Sequence, residues 1–411
     1  MRVAIVHDWL TGMRGGERVL EALLDLWPDA EIFTLLHVPG SVSRKIESRP
    51  IHASFIGRLP GAARHYRRCL PLFPFAVERL DLRGFDFIVS SSHCVAKSAR
   101  PPLGVPHLCY CHTPMRYAWD LFPDYFGAGR AALPVRLAMA ALAPWLRRWD
   151  AATARRVTAF VASSRHVRSR IRRCYGRDAA VVHPPVDIDR FRPAERRDDF
   201  YLMVNALVPY KRVDLAVEAF NALGRPLVIV GKGPGLERLR RMAGPNIRFT
   251  GWLPDDEVAD LLARCRAFIH PANEDFGIAA VEAQAAGAPV IAFRAGGAME
   301  TVIGPTAEEA QAYAGGSIPG ATGLFFTTQT ADALAAAVRA ADRLSFEPAT
   351  LRANARRFDV RSFHRGIRRC ARRLLAAGRD GEPAPRRGRA SGDAAPPTRR
   401  TAHGMRGRGR R

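Results

Sequence analysis

Asn273–Val290, NEDFGIAAVEAQAAGAPV, joins a helical pattern to a strand. Ala279, Ala280, Ala283, Ala285 and Ala286 give a helical stretch without the Lys and Glu that a solvent face carries. Such small side chains imply close packing on a sheet, and Ala-Pro-Val then opens a strand. Two carboxylates interrupt the pattern: Glu274 just ahead of the helix, with Asp275 beside it, and Glu282 inside it. Burying a carboxylate without a partner is very costly. Each therefore calls for a structural Arg or Lys, or for a ligand with hydroxyls to offer.

Around this segment the second half alternates short apolar runs at 201–207, 226–231, 246–253, 267–272 and 288–293 with helices at Val213–Leu223 and Asp255–Cys265. The first half does the same, with strands expected at Arg2–Val6, 85–92, 107–112 and 158–164, a helix at Glu17–Trp27 and another from Arg165. Strand and helix in turn imply parallel sheets covered on both faces. Between the halves, VVHPPVDIDRFRP (181–193) has three prolines and no periodicity, the mark of a domain connection. A chain of 411 residues also exceeds what one core usually serves. The expected fold class is α/β, two Rossmann-like doubly wound domains facing a central cleft. The expected boundaries are 1–183 and 200–360 for the domains, 184–199 for the connection, 361–378 for a last helix and 379–411 for a disordered basic tail. Ligands in such sheets bind beyond the carboxyl ends of the strands.

Apolar content of 47% is ordinary, but 63 basic against 39 acidic residues leave a net charge of +24. That balance favours polyanions, nucleotides or an anionic membrane surface; an arginine-rich genome would produce it equally well. Seven cysteines include no C-x-x-C pair, so they read as reduced and structural in a cytoplasmic protein, and a zinc site at Cys109 and Cys111 lacks a second pair. The first apolar run is too short for a signal-peptide core, and no 18-residue apolar stretch exists.

Several loops at strand ends carry candidate chemistry. TGMRGGERVL (11–20) places Gly15 and Gly16 before a helix, where bare backbone can approach a diphosphate, although a plain turn would also use glycine. NALVPYKRVD (205–214) sets Lys211 and Arg212 at a helix start, a position that disfavours cations unless a phosphate is to be met. CYCHTPMRYAWD (109–120) ends a strand with His112 facing the expected cleft. Phe276, Gly277 and Ile278 offer backbone N–H groups at a helix start, and with Glu274 and Glu282 they present donors and acceptors together, as sugar and ribose hydroxyls require. Gly296, Gly297 and Glu300 follow the next strand, near the same helix.

The string E-D-F-G-I-x-x-V-E-A-x-A-x-G-x-P-V-I-A (274–292), with V-P-Y-K-R-V-D (208–214) and H-T-P-M-R-Y (112–117), resembles the signature of retaining family-4 glycosyltransferases of GT-B fold. The likeness extends to about residue 378. Within that family, H-T-P-M-R-Y-A-W-D is most similar to bacterial mannosyltransferases of O-antigen or exopolysaccharide synthesis that use GDP-mannose. The resemblance implies an acceptor-side first domain and a nucleotide-sugar-binding second one. It implies Glu274 beside the transferred sugar, Glu282 on the ribose hydroxyls, and sugar hydroxyls on the Phe276–Ile278 backbone. Lys211 would neutralise the diphosphate with help from Gly15 and Gly16, and His112 would sit near the reacting carbon. Many relatives carry Gly-Arg shortly before the lysine; here Asn205-Ala206 stands there, and Arg212 is inferred to replace the lost charge. No D-x-D lies near the donor site, so neither metal nor other cofactor is expected beyond the nucleotide sugar.

Retention without an evident nucleophile implies front-face substitution, with catalysis by positioning and by charge stabilisation on the leaving group. Arg64, Arg67 and Arg68 among Tyr66, Leu70, Leu72, Phe73 and Phe75, and the stretch 136–149, suggest contact with anionic lipid. A lipid-linked saccharide acceptor and a place on the inner face of the plasma membrane would follow. Alternatives are a sugar-nucleotide 2-epimerase of the same architecture and a basic nucleic-acid-binding protein. The second leaves the cleft motifs unexplained, and no G-x-G-x-x-G with a following acid supports a dehydrogenase.

Overall fold

The structure, a computed structural model, describes residues 1–120, 122–127, 132–313 and 316–379. Val3–His7 (β1) is buried along its whole length, as a central parallel strand covered on both faces must be. Glu31–Thr34 (β2), Ile51–Ala53 (β3), Phe87–Ser92 (β4), His107–Cys111 (β5), Ala159–Ala162 (β6) and Ala179–Val181 (β7) join it in an all-parallel sheet of order β3-β2-β1-β4-β5-β6-β7. The second domain repeats the scheme. Tyr201–Val204 (β8), Leu227–Val230 (β9), Ile247–Gly251 (β10), Ala267–His270 (β11) and Val290–Phe293 (β12) precede a small parallel pair, Gly316–Ser317 (β13) and Leu344–Ser345 (β15), with Gly323–Phe326 (β14) lying between those two in the chain. The main sheet runs β10-β9-β8-β11-β12-β14.

Both sheets thus reverse direction of winding beside their first strand, between β1 and β4 and between β8 and β11. Loops diverge at such points and leave a crevice at the carboxyl ends. Helix Gly15–Leu26 covers one face of the first sheet through Val19, Leu20, Leu23 and Leu24. Helix Ile278–Ala285 covers the second, its Ala280, Ala283 and Ala285 wholly buried beside Phe268, as the alanine stripe required.

The chain crosses between domains twice, and the crossings lie side by side: Val186 N–H donates to Phe358 O at 2.9 Å, and Val186 bridges Asp359. From there helix Val360–Arg379 returns to the first domain, burying Phe363, Ile367, Ala371 and Leu374 in its core. Gly366 permits the approach, since a Cβ there would sit 2.7 Å from Val182 Cγ1.

Several expectations are corrected. The helix expected at Glu17 starts at Gly15, because Gly15 and Gly16 form its first turn rather than a preceding loop. Strands β2, β3, β7, β13, β14 and β15 are additional; each has only two to four residues and takes its conformation from neighbours on the sheet. Tyr66, Leu70 and Phe73 are core residues, so of that stretch only Leu72 and Phe75 offer large apolar surface to solvent. The expected tail falls, from 380 onward, outside the described residues.

Candidate functional site

At the carboxyl end of β8, Pro209–Lys211 makes a single 3-10 turn and Arg212, at φ 51°, turns the chain into helix Val213–Leu223. That left-handed residue, the only non-glycine with positive φ among the described residues, is strained by roughly 1–3 kcal/mol. The turn aims Lys211 across the mouth of β11, where its Nζ lies 2.5 Å from Glu274 Oε2. Glu274 Oε1 is buried without a hydrogen-bond partner, 3.9 Å from His270 Nδ1. Burial opposes ionisation of Glu274, but Lys211 and then His270 overcome it and hold the carboxyl below its usual range. Arg212 is turned elsewhere, to Gln329 Oε1 at 3.0 Å and Asp214 Oδ1 at 3.4 Å, and would have to leave both to meet a phosphate.

Gly277, at φ 87°, lets the chain turn against His270; a Cβ would stand 3.1 Å from Nε2. Among the described residues, none accepts from the N–H groups of Phe276, Gly277 or Ile278. The next loop braces this one: Gly297 N–H donates to Glu274 O at 2.8 Å, and a Cβ on Gly297 would come within 2.3 Å of Phe276 Cα. Across the cleft lies the first turn of helix Gly15–Leu26, where a Cβ on Gly15 would sit 2.8 Å from Ile278 Cδ1. Two helix N-termini therefore converge with Lys211 beside them, an arrangement suited to an anion.

Glu282 stands further along its helix, 4.0 Å from Arg190 Nη2. Burial raises its carboxyl; Arg190 offsets this in part, and Asp255 adds to it. This carboxylate therefore lacks a close partner among the described residues. His112, just past β5, has Nε2 2.9 Å from Ser91 Oγ. Burial, reinforced by His93 and His7, pulls its pKa well below the usual histidine value and keeps the ring neutral.

Residues to which the sequence assigned no binding role join the domains. Asp275, at the start of the signature string, meets Arg116 at 2.5 Å, Arg170 at 2.6 Å and Thr113 Oγ1 at 3.2 Å, all from the first domain. Burial would raise its carboxyl, but Arg116 and Arg170 lower it. Arg18 pairs with Asp255 at 2.5 Å, and Glu300 accepts from His166 N–H at 3.2 Å while pairing with His183 at 3.0 Å. These contacts join the domains beside a cavity of about 280 Å³ lined by Arg116, His166, Arg170, Tyr210 and Glu274 among others. A larger cavity, about 550 Å³, lies at the opposite end of the first sheet between Arg100–Pro106 and Leu374, away from all of these groups. No cluster of three His, Cys, Asp or Glu side chains among the described residues is arranged for a metal.

Comparison with known proteins fits this geometry. Residues 13–190 match the family model described as Glycosyltransferase Family 4, and residues 186–358 match the one described as Glycosyl transferases group 1. A GDP-mannose-dependent alpha-(1-6)-phosphatidylinositol monomannoside mannosyltransferase of Mycolicibacterium smegmatis is 37% identical over 172 residues, 34% of this chain and 45% of that protein. The chain thus spans less than half the length of this curated relative. Among solved structures, sucrose-phosphate synthase from Thermosynechococcus elongatus superposes with a TM-score of 0.65 at 18% identity, covering 92% of this chain and all of that one. The Anabaena protein HepE, solved in complex with UDP, gives 0.64 at 17% identity, covering 91% and all.

Proposed function

We propose that this chain, GT-B in fold and matched in tandem by two glycosyltransferase family models, moves a hexose from a nucleotide sugar to a hydroxyl of a lipid-linked or polysaccharide acceptor. The donor in this reading is GDP-mannose and the anomeric configuration is retained. The observation that carries it is the Lys211–Glu274 pair beside the free N–H groups of Phe276–Ile278, facing the helix that begins at Gly15.

The diphosphate takes Lys211 and the backbone at Gly15 and Gly16; the sugar lies against Phe276–Ile278 and Glu274. Ribose hydroxyls answer Glu282, whose carboxylate has no close partner without them. As the bond from the anomeric carbon to the diphosphate breaks, the developing negative charge meets a cation and two helix N-termini already in place. The departing phosphate oxygen takes the proton of the acceptor hydroxyl, whose oxygen bonds the same face of that carbon. His112 holds a hydroxyl near the reacting centre.

The acceptor side carries a surface that suits a lipid. Leu72 and Phe75 are exposed beside Arg64, Arg67 and Arg68, and helix Leu133–Thr153 exposes Leu133, Val135, Leu137 and Trp145. Phe75 and Trp145 stack with ring centroids 6.3 Å apart, making one apolar patch with a basic border. No described helix is long and apolar enough to cross a membrane. The patch would instead lay the protein on an anionic bilayer, on its cytoplasmic face.

Incubation with GDP-mannose, UDP-glucose and other nucleotide sugars, with released nucleotide as the readout, tests the donor. Release from GDP-mannose, raised by a lipid-linked acceptor, is expected. A sugar nucleotide returned altered at C2 without any acceptor would replace this reading with an epimerase.

A further inference from the structure

Three adjacent strands of the first sheet bring histidines to the floor of the cleft: His7 ends β1, His93 follows β4 and His112 follows β5. Ser91, on β4, lies between two of them. Its Oγ is 3.1 Å from His7 Nδ1 and 2.9 Å from His112 Nε2, and the side chain is wholly buried. A hydroxyl carries one proton, so with both rings neutral it donates to one and accepts from the other.

Glu17 decides which. Its Oε1 lies 3.7 Å from His7 Nε2, with the two side chains 3% and 0% exposed, and Nε2 has no hydrogen-bond partner. Burial opposes the Glu17 charge, yet the neighbouring His7 holds the carboxyl below its usual range. A carboxylate facing a bare nitrogen lone pair in a dry site is repelled, whereas one facing N–H is attracted. In the neutral His7 ring the proton therefore sits on Nε2. Nδ1 then accepts from the Ser91 hydroxyl, and Ser91 Oγ accepts from His112 Nε2–H. Asp8 does not compete for His7, because it is taken by the backbone N–H groups of His93, Cys94, Val95 and Ala96 and by His93 Nδ1 at 3.1 Å.

We propose that Glu17, His7 and Ser91 form a positioning relay that fixes His112 as its Nε2–H tautomer, so that it meets its substrate as a hydrogen-bond acceptor through Nδ1. None of the described residues hydrogen-bonds Nδ1, and the ring is only part-buried, so Nδ1 is open to a ligand. The hydroxyl it would accept from, on the sugar or on the acceptor, rests on the transferase reading above. The relay itself does not.

The test is the nitrogen-15 spectrum of the His112 ring at about pH 8, where neutral imidazole prevails, assigned by its loss in His112→Gln. The unaltered protein is expected to carry the proton on Nε2. Ser91→Ala should populate both tautomers and lower kcat about tenfold, with KM for the nucleotide sugar within about twofold. Ser91→Thr, which restores the hydroxyl, should recover both readouts. Glu17→Gln should weaken the tautomer bias without unfolding the chain. A proton on Nδ1 in the unaltered protein, or an unchanged tautomer in Ser91→Ala, would overturn the relay. The spectra need no turnover: the expected tautomer in a chain that transforms no nucleotide sugar would support the relay and count against the proposed transferase.

Discussion

Lys211 and Glu274 neutralise each other at 2.5 Å, so a diphosphate in the proposed donor site would compete with Glu274 for Lys211. Lys211→Ala should leave the fold intact and cut kcat by about 10²–10³, measured as nucleotide release; normal turnover would remove Lys211 from the mechanism. Glu282 is the opposite case, a carboxyl that burial pushes up. The folded chain binds its proton more tightly than the unfolded chain. The stability it contributes is complete below the ordinary carboxylate value and declines as pH rises through the folded value. Glu282→Gln should therefore raise the thermal midpoint measured without nucleotide at neutral pH, the gain closing toward about pH 4, while weakening nucleotide binding. A lower midpoint at neutral pH would mean that Glu282 is a structural residue. Both glutamates stood out in the sequence, because carboxylates among alanines are anomalous. His270 and Ser91 did not, since a lone histidine or serine at a strand end has no periodicity to violate.

At the scale of elements, the loop before helix Ile278–Ala285 is held from behind by Gly297. A methyl there meets backbone, Phe276 Cα at 2.3 Å, whereas a methyl on Gly15 meets only the flexible tip of Ile278 at 2.8 Å. If GDP raises the thermal midpoint, as the proposed donor requires, Gly297→Ala should abolish that rise and cost about 1–3 kcal/mol of stability. Gly15→Ala should retain the fold with a smaller penalty and weaken GDP binding only in part. Equal effects would show that the loop yields as easily as a side chain. The alternating apolar runs made the central strands legible. The short β2, β3 and β7 were not, because a three- or four-residue strand draws its stability from the partner beside it rather than from its own pattern.

For the whole molecule, Asp275 is the clasp between domains, holding Arg116 and Arg170 across the cleft. The paired crossings at Val186 and Asp359 leave a narrow hinge, so losing the clasp should open the cleft. Asp275→Asn should increase the radius of gyration in small-angle scattering and lower kcat/KM; an unchanged radius would locate closure elsewhere. Glu274, Asp275 and Glu300 are all held below their usual range, so their contribution is present above the ordinary carboxylate value and lost as pH falls through the folded values. Closure and stability should therefore decline together below about pH 4. On the outer surface, replacing Phe75 and Trp145 by Ser should reduce flotation with anionic liposomes while leaving nucleotide affinity unchanged.

From the sequence alone came two doubly wound halves, the connection between them, and Lys211, His112, Glu274 and Glu282 as candidates, since periodicity and misplaced charge are local properties of the chain. Only the tertiary structure could show that Asp275 is answered by arginines 159 and 105 residues away, or that Ser91 joins His7 to His112. Those partners are set by which strands lie side by side and how two domains meet, and nothing in the spacing of residues along one chain encodes a contact that exists only when the cleft closes.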